Sequence, residues 1–205
     1  MMPAMAQART IVVGEGPEPW ARLGFAVQED GSARVGGLLI ATGGTALGIE
    51  AGGLAHERPD GLRITDSAAG PVTAGTHPNG ALAVDHVVAF TDDLDRTVAA
   101  LERAGAPLRR RAEPRPGTPM AFHRLGGLVL EVVQTGSRPS ALWGLVVTVA
   151  DLEACSRALG PLLGAPRPAV QPGRWIATAR PQAGLAAALA LITPQPGRDP
   201  PPRSH

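Results

Sequence analysis

Two stretches of the chain repeat one pattern of apolar and polar positions: VDHVVAFTDDLDRTVAAL at 84–101 and LWGLVVTVADLEACSRAL at 142–159. An offset of 58 lays Asp93-Leu94 on Asp151-Leu152, Leu101 on Leu159, and Val87-Val88 on Leu145-Val146. Each copy opens with a short apolar run, which predicts a buried strand. An acidic residue follows, Asp92 or Asp93 in the first copy and Asp151 in the second. A carboxylate there accepts from the free N–H groups of a first helical turn, so a helix start is predicted. Leu94, Val98 and Leu101 then fall on one helical stripe, as do Leu152, Cys155 and Leu159. Gly105 and Gly160 are placed to stop these helices. PLRRRAE, MAFHRL and LVLEVVQ follow in the first copy, and RPAVQ, RWIATAR and AAALALIT in the second. These read as strands, so each copy is predicted to be a βαβββ module.

The order recurs in shorter form near the start. TIVVG reads as a strand, PEPWARLG as a helix of about two turns, and FAVQ, ARVGGLLIA and ALGIEAG as strands. Residues 9–55 are therefore expected to form a degraded N-terminal module. Residues 56–80, rich in Gly, Pro and Ser toward their end, are expected to be a linker or long loop. Paired modules at 81–135 and 141–194 form the domain 81–194, and the Pro-rich tail 195–205 is expected to be disordered.

Composition narrows the chemistry. All 19 basic residues are arginine, and tyrosine is absent. That excludes Schiff-base and P-loop lysines and any tyrosine acid or base. A net charge of +1 gives no field suited to nucleic acid. No apolar run is long enough for a membrane span, and no signal peptide is recognised. The single Cys155 excludes an intrachain disulfide and fits a reducing, cytoplasmic setting. It sits on the apolar stripe of its helix, which favours packing over nucleophilic use.

Local geometry orders several candidates. With Gly126-Gly127 as a two-residue turn, MAFHRLGGLVLEVV pairs Arg124 with Val129 and Phe122 with Glu131. Glu131 then shares a face with Phe122, Arg124, Val129 and Val133, and His123 falls on the other face. A carboxylate in an apolar strand needs a partner. For Glu131 that is either Arg124 or a metal or substrate. His77, in THPNG, reads as an exposed turn residue, and RRR at 109–111 as a solvated strand or loop. Trp143 and Trp175 either line a cavity or fill the core, with core filling favoured.

The paired modules, with DHVV…TDDLDRTVAALERAG and LGGLVLEVV, resemble the vicinal oxygen chelate superfamily. That group includes glyoxalase I, bleomycin-resistance proteins, extradiol dioxygenases and methylmalonyl-CoA epimerase. The resemblance implies an α+β fold of repeated βαβββ modules whose curled mixed sheets surround a cavity. It also implies a divalent metal held by one residue from the first strand and one from the last strand of each module. His86 matches the first-strand ligand and Glu131 the last-strand ligand, whereas Gly144 and Leu191 stand where the second module's ligands are expected. Glu50 matches the last-strand position of the N-terminal module and is a candidate third ligand.

The leading expectation is a glyoxalase-like protein that binds a small organic molecule between modules through His86, Phe122, Arg124 and Glu131, with an incomplete metal site. The alternatives are a divalent-metal-dependent lyase, isomerase or dioxygenase using His86 and Glu131, with Glu131 as base, and a non-catalytic scaffold. The resemblance also implies a homodimer.

Overall fold

The computed structural model describes residues 5–136 and 138–197. Its N-terminal unit comprises β1 (Gln7–Val12), α1 (Pro17–Arg22), β2 (Ser32–Val35), β3 (Leu38–Ala41), β4 (Gly48–Gly52) and β5 (Ile64–Asp66). These strands form one sheet in the order β2-β3-β1-β4-β5. The unit departs from the expected module in three ways. ARVGGLLIA is not one strand, because Gly36 takes φ +60° and turns the chain into a β2–β3 hairpin. FAVQ forms no strand: Phe25 packs edge-on against buried Trp20, and Val27 makes only an isolated bridge to Ala33. Strand β4 lies antiparallel to β1, whereas β3 runs parallel to β1 and takes the last-strand place of the module. The segment 56–80 is also not wholly a loop, since β5 pairs parallel with β4.

The first long repeat folds as β6 (Ala81–Thr91), α2 (Leu94–Arg103), β7 (Leu108–Ala112), β8 (Met120–Leu125) and β9 (Leu128–Gln134). The second folds as β10 (Ala141–Val149), α3 (Leu152–Leu159), β11 (Arg167–Pro168), β12 (Trp175–Thr178) and β13 (Ala188–Ile192). Asp93 and Asp151 cap the two helices, accepting from the N–H groups of Arg96 and Ala154. Gly105 and Gly160 end them at positive φ. Among the described residues no helix is long and apolar enough to cross a membrane.

The eight strands make one sheet, β11-β12-β13-β10-β6-β9-β8-β7. Its middle is the antiparallel pair β6–β10, whose register shows the repeat directly. His86 pairs with Val146 and Val88 with Gly144. Each of these pairs maps onto the other under the offset of 58, as a local two-fold requires. One face of the sheet carries Val87, Ala89, Leu130, Val132, Leu145 and Val147, which join Leu94, Val98 and Leu101 of α2 in the core. The opposite face forms a trough.

The N-terminal unit shares that core. Its Ala6 and Ala55 N–H groups donate to the Gly105 and Ala104 carbonyls, both 3.0 Å, and so satisfy the end of α2. His77 is buried, contrary to expectation. It accepts from the Ala26 N–H at Nδ1 and donates from Nε2 to the Arg34 carbonyl. Burial lowers its pKa below that of an ordinary histidine. A second tie is Asp60, held in the left-handed region at φ +51°. Its carboxylate accepts from Arg96 Nε at 2.7 Å and from the hydroxyls of Thr97 and Ser140. Burial pushes the Asp60 pKa up, but these donors outweigh it and hold the group below its ordinary value.

A carboxylate with a lowered folded-state pKa stabilises above its unfolded value and loses that contribution as pH falls. Asp60→Asn, which tolerates the left-handed backbone, is expected to lower stability at pH 7 by about 1–3 kcal/mol. The gap between variant and wild type is expected to narrow below about pH 4. Urea denaturation of both proteins across pH checks this.

Candidate functional site

The trough has two lobes of about 490 and 500 Å³ that meet at His86, Arg110, Phe122, Glu131 and Gln171. The hairpin β8–β9 places part of its floor. Arg124 pairs with Val129 and Phe122 with Glu131 across the Gly126-Gly127 turn, as the sequence predicts. Phe122, Arg124 and Glu131 therefore share a face, and β6 brings His86 beside them. His123 points the other way, fully buried, with Nδ1 donating to the Ala106 carbonyl and Nε2 without a partner among the described residues. Burial lowers its pKa.

His86 is oriented by a buried polar relay. Its Nδ1 donates to Asp85 Oδ1 at 2.8 Å, and the other Asp85 oxygen accepts from Arg174 Nη2 at 2.6 Å. Thr148 also donates to that oxygen, and Arg174 Nε donates to the Thr193 carbonyl. Burial works against the Asp85 charge, but the His86 and Arg174 bonds win and hold its pKa well below the usual carboxylate range. With Nδ1 as donor, the His86 ring presents Nε2 to the trough. Nε2 lies 3.9 Å from Glu131 Oε2. The sequence reading did not single out Arg174. Its one signal was Asp85, a second charged residue in an apolar strand that required a buried cation.

Glu131 does not pair with Arg124, whose guanidinium turns to the Gly127 carbonyl at 3.1 Å. The Glu131 carboxylate makes no hydrogen bond among the described residues and keeps only the 3.9 Å approach of His86. Burial pushes its pKa up, opposed by the nearby charges of His86 and Arg110. Arg110 is fixed over the Phe122 ring at 4.1 Å. RRR lies exposed on β7, as a solvated strand, with Arg109 and Arg110 on the trough and Arg111 paired with Asp95. The two tryptophans do not fill the core. Both are 49% exposed, and Trp143 lines the second lobe beside Phe90. Cys155 is core, its thiol pushed up to about 11 by burial and the Asp151 charge.

No family model matches the chain, and no curated protein matches it. Several solved structures are similar in part. A methylmalonyl-CoA epimerase from Mycobacterium tuberculosis aligns at 19% identity over 55% of this chain and 88% of that one, with a TM-score of 0.46. A hypothetical protein from Bacillus halodurans C-125 aligns at 14% identity over 57% and 96%, with a TM-score of 0.48. A Streptomyces coelicolor methylmalonyl-CoA epimerase variant in complex with 2-nitronate-propionyl-CoA aligns at 18% identity over 57% and 97%, with a TM-score of 0.45.

The paired modules have an α+β fold of two βαβββ units joined in one mixed sheet.

The donor set does not fit the metal that the sequence resemblance implies. His86 and Glu131 meet, but Glu50 sits on β4 opposite Thr10 and is not part of the trough lining. The second module offers nothing in their place. Its strand register also corrects the sequence alignment. Glu131 pairs with Val88, and the equivalent Val146 pairs with Ala190, so Ala190 rather than Leu191 is the counterpart of Glu131. Leu191 faces the core. At Gly144 even a Cβ would lie 2.5 Å from the Ala188 carbonyl oxygen, because β13 approaches β10 too closely there. Among the described residues no three His, Cys, Asp or Glu side chains are grouped to hold an ion. Firm sites take at least three protein ligands.

Gly144→His with Ala190→Glu is therefore expected to gain no zinc or manganese binding by calorimetry. Gly144→Ala alone is expected to lose about 1–3 kcal/mol in urea denaturation from backbone overpacking. Arg174→Met leaves Asp85 without its cation in a mostly buried site, at a cost on the order of 3 kcal/mol. The double variant Asp85→Asn/Arg174→Met is expected to lose less than the two single changes added together, which a double-mutant cycle measures.

Proposed function

We propose that the chain binds a small organic molecule in the trough and holds no resident metal. The reading is carried by Glu131, a largely buried carboxylate that makes no hydrogen bond among the described residues and lines the cavity. A buried charge needs a partner, and here that partner comes with the ligand. His86, positioned through Asp85 and Arg174, is the second polar contact. Phe122 and Arg124 line the same space. Two lobes of this size suit a modest organic ligand.

A catalytic use of the same site is the second reading. Burial raises the Glu131 pKa, which moves a carboxylate toward the range of a general acid or base. His86 Nε2 stands close enough to share a proton through a water or a ligand oxygen.

Thermal-shift screening of organic acids, amides and esters tests the proposal, because a ligand that binds only the folded chain raises Tm. Wild-type protein is expected to gain several degrees with a binder, and His86→Ala and Glu131→Gln are expected to lose most of that gain. Zinc, manganese, cobalt or magnesium alone is expected to give no saturable shift. A stoichiometric divalent ion retained by the purified protein would overturn the metal-free reading.

A further inference from the structure

Resting on the reading of the trough as a binding site, we infer the chemical class of its ligand: an amphipathic anion. A carboxylate or phosphate head is held by Arg109, Arg110 and Arg124, and an apolar body lies against Phe90, Trp143 and Ile176.

The charge around the first lobe points this way. Four arginines line it, Arg109, Arg110, Arg124 and Arg174, against the two carboxylates of Asp85 and Glu131. Arg174 and Asp85 neutralise each other at 2.6 Å. Arg109, Arg110 and Arg124 form no ion pair among the described residues, although other arginines of the chain do. Guanidinium groups that line one lobe and form no ion pair repel a cation and leave a neutral ligand to desolvate them unrewarded. A carboxylate or phosphate instead accepts paired, charge-assisted hydrogen bonds from them. Arg110 is already oriented. Phe122 covers one face of its guanidinium, and the edge, which carries the donors, is left for the ligand.

The second lobe is of a different kind. Val146, Ala190 and Ile192 form a separate apolar cluster with Ala169 and Ile176 on the trough face. Trp143 stacks at a tilt on Phe90 with ring centroids 5.0 Å apart and remains half exposed. A large aromatic left half exposed beside an apolar hollow gains from covering by a ring or chain. Glu131 stands at the junction of the lobes, where a hydrogen-bond donor in the middle of the ligand pairs with it while its charge keeps the acidic head away. It therefore directs the head toward Arg124, which pairs two residues farther along the hairpin.

The test uses four matched probes with the full chain: 4-phenylbutyrate, 4-phenylbutyl phosphate, 4-phenylbutanol and 4-phenylbutylamine, each titrated calorimetrically. At least one acid is expected to bind at least tenfold more tightly than the alcohol and the amine, and the stronger of the two names the head group. Its affinity is expected to fall at least tenfold in Arg110→Gln/Arg124→Gln and to weaken with added salt. Trp143→Ala is expected to weaken the acids and the alcohol alike. Equal binding of alcohol and acid would overturn the anion inference and leave the trough as a binding site. The same holds for acid binding unchanged in the arginine variant. Failure of all four probes to bind would count against both readings.

Discussion

The antiparallel pairing of β6 with β10 is the contact on which the rest of the molecule depends. It joins two four-stranded halves into one sheet, and its register repeats under the internal two-fold. The same pairing decides which side chains meet. It puts His86 on the trough face beside Glu131, the partner of Val88 on β9. It also puts Gly144 at the mirror position, where the neighbouring β13 leaves no room for a side chain. The two halves are related in backbone and unequal in chemistry. One carries a polar site. The other carries Val146, Ala190 and Ile192, an apolar wall.

The polar site is held rigid by a residue of the other half. Arg174 is almost fully buried and is held by the Thr193 carbonyl as well as by Asp85. Asp85 in turn fixes the His86 ring through Nδ1. A buried ion pair adds little net stability, because desolvation offsets its attraction. Its effect here is orientation, since the chain of bonds leaves one ring nitrogen, Nε2, facing the trough. Glu131 stands outside this chain of bonds and faces the trough.

The N-terminal unit works through other means. It shares the main core, satisfies the last carbonyls of α2, and is tied by Asp60 to Arg96, Thr97 and Ser140. Two non-glycine residues in the left-handed region, Arg58 and Asp60, accompany that tie. Backbone strain of this kind persists where surrounding bonds hold it in place, and the three donors to Asp60 do so.

Local chemistry made much of this legible in the sequence. The period of apolar residues, the capping aspartates and the glycine stops mark α2 and α3 because those signals act within one turn. The two-glycine turn of the β8–β9 hairpin sets the faces of Phe122, His123, Arg124 and Glu131, because strand alternation leaves no freedom once a turn is fixed. Pairings between distant segments lay beyond the sequence. Which strand flanks β1, that Ala190 and not Leu191 answers Glu131, that His77 is buried between backbone groups, and that Arg174 reaches Asp85 from 89 residues away all depend on packing. Residue type alone states only that a buried charge must find a partner. The tertiary structure decided which partner it found, and at Glu131 that is the 3.9 Å approach of His86 on the face of the trough.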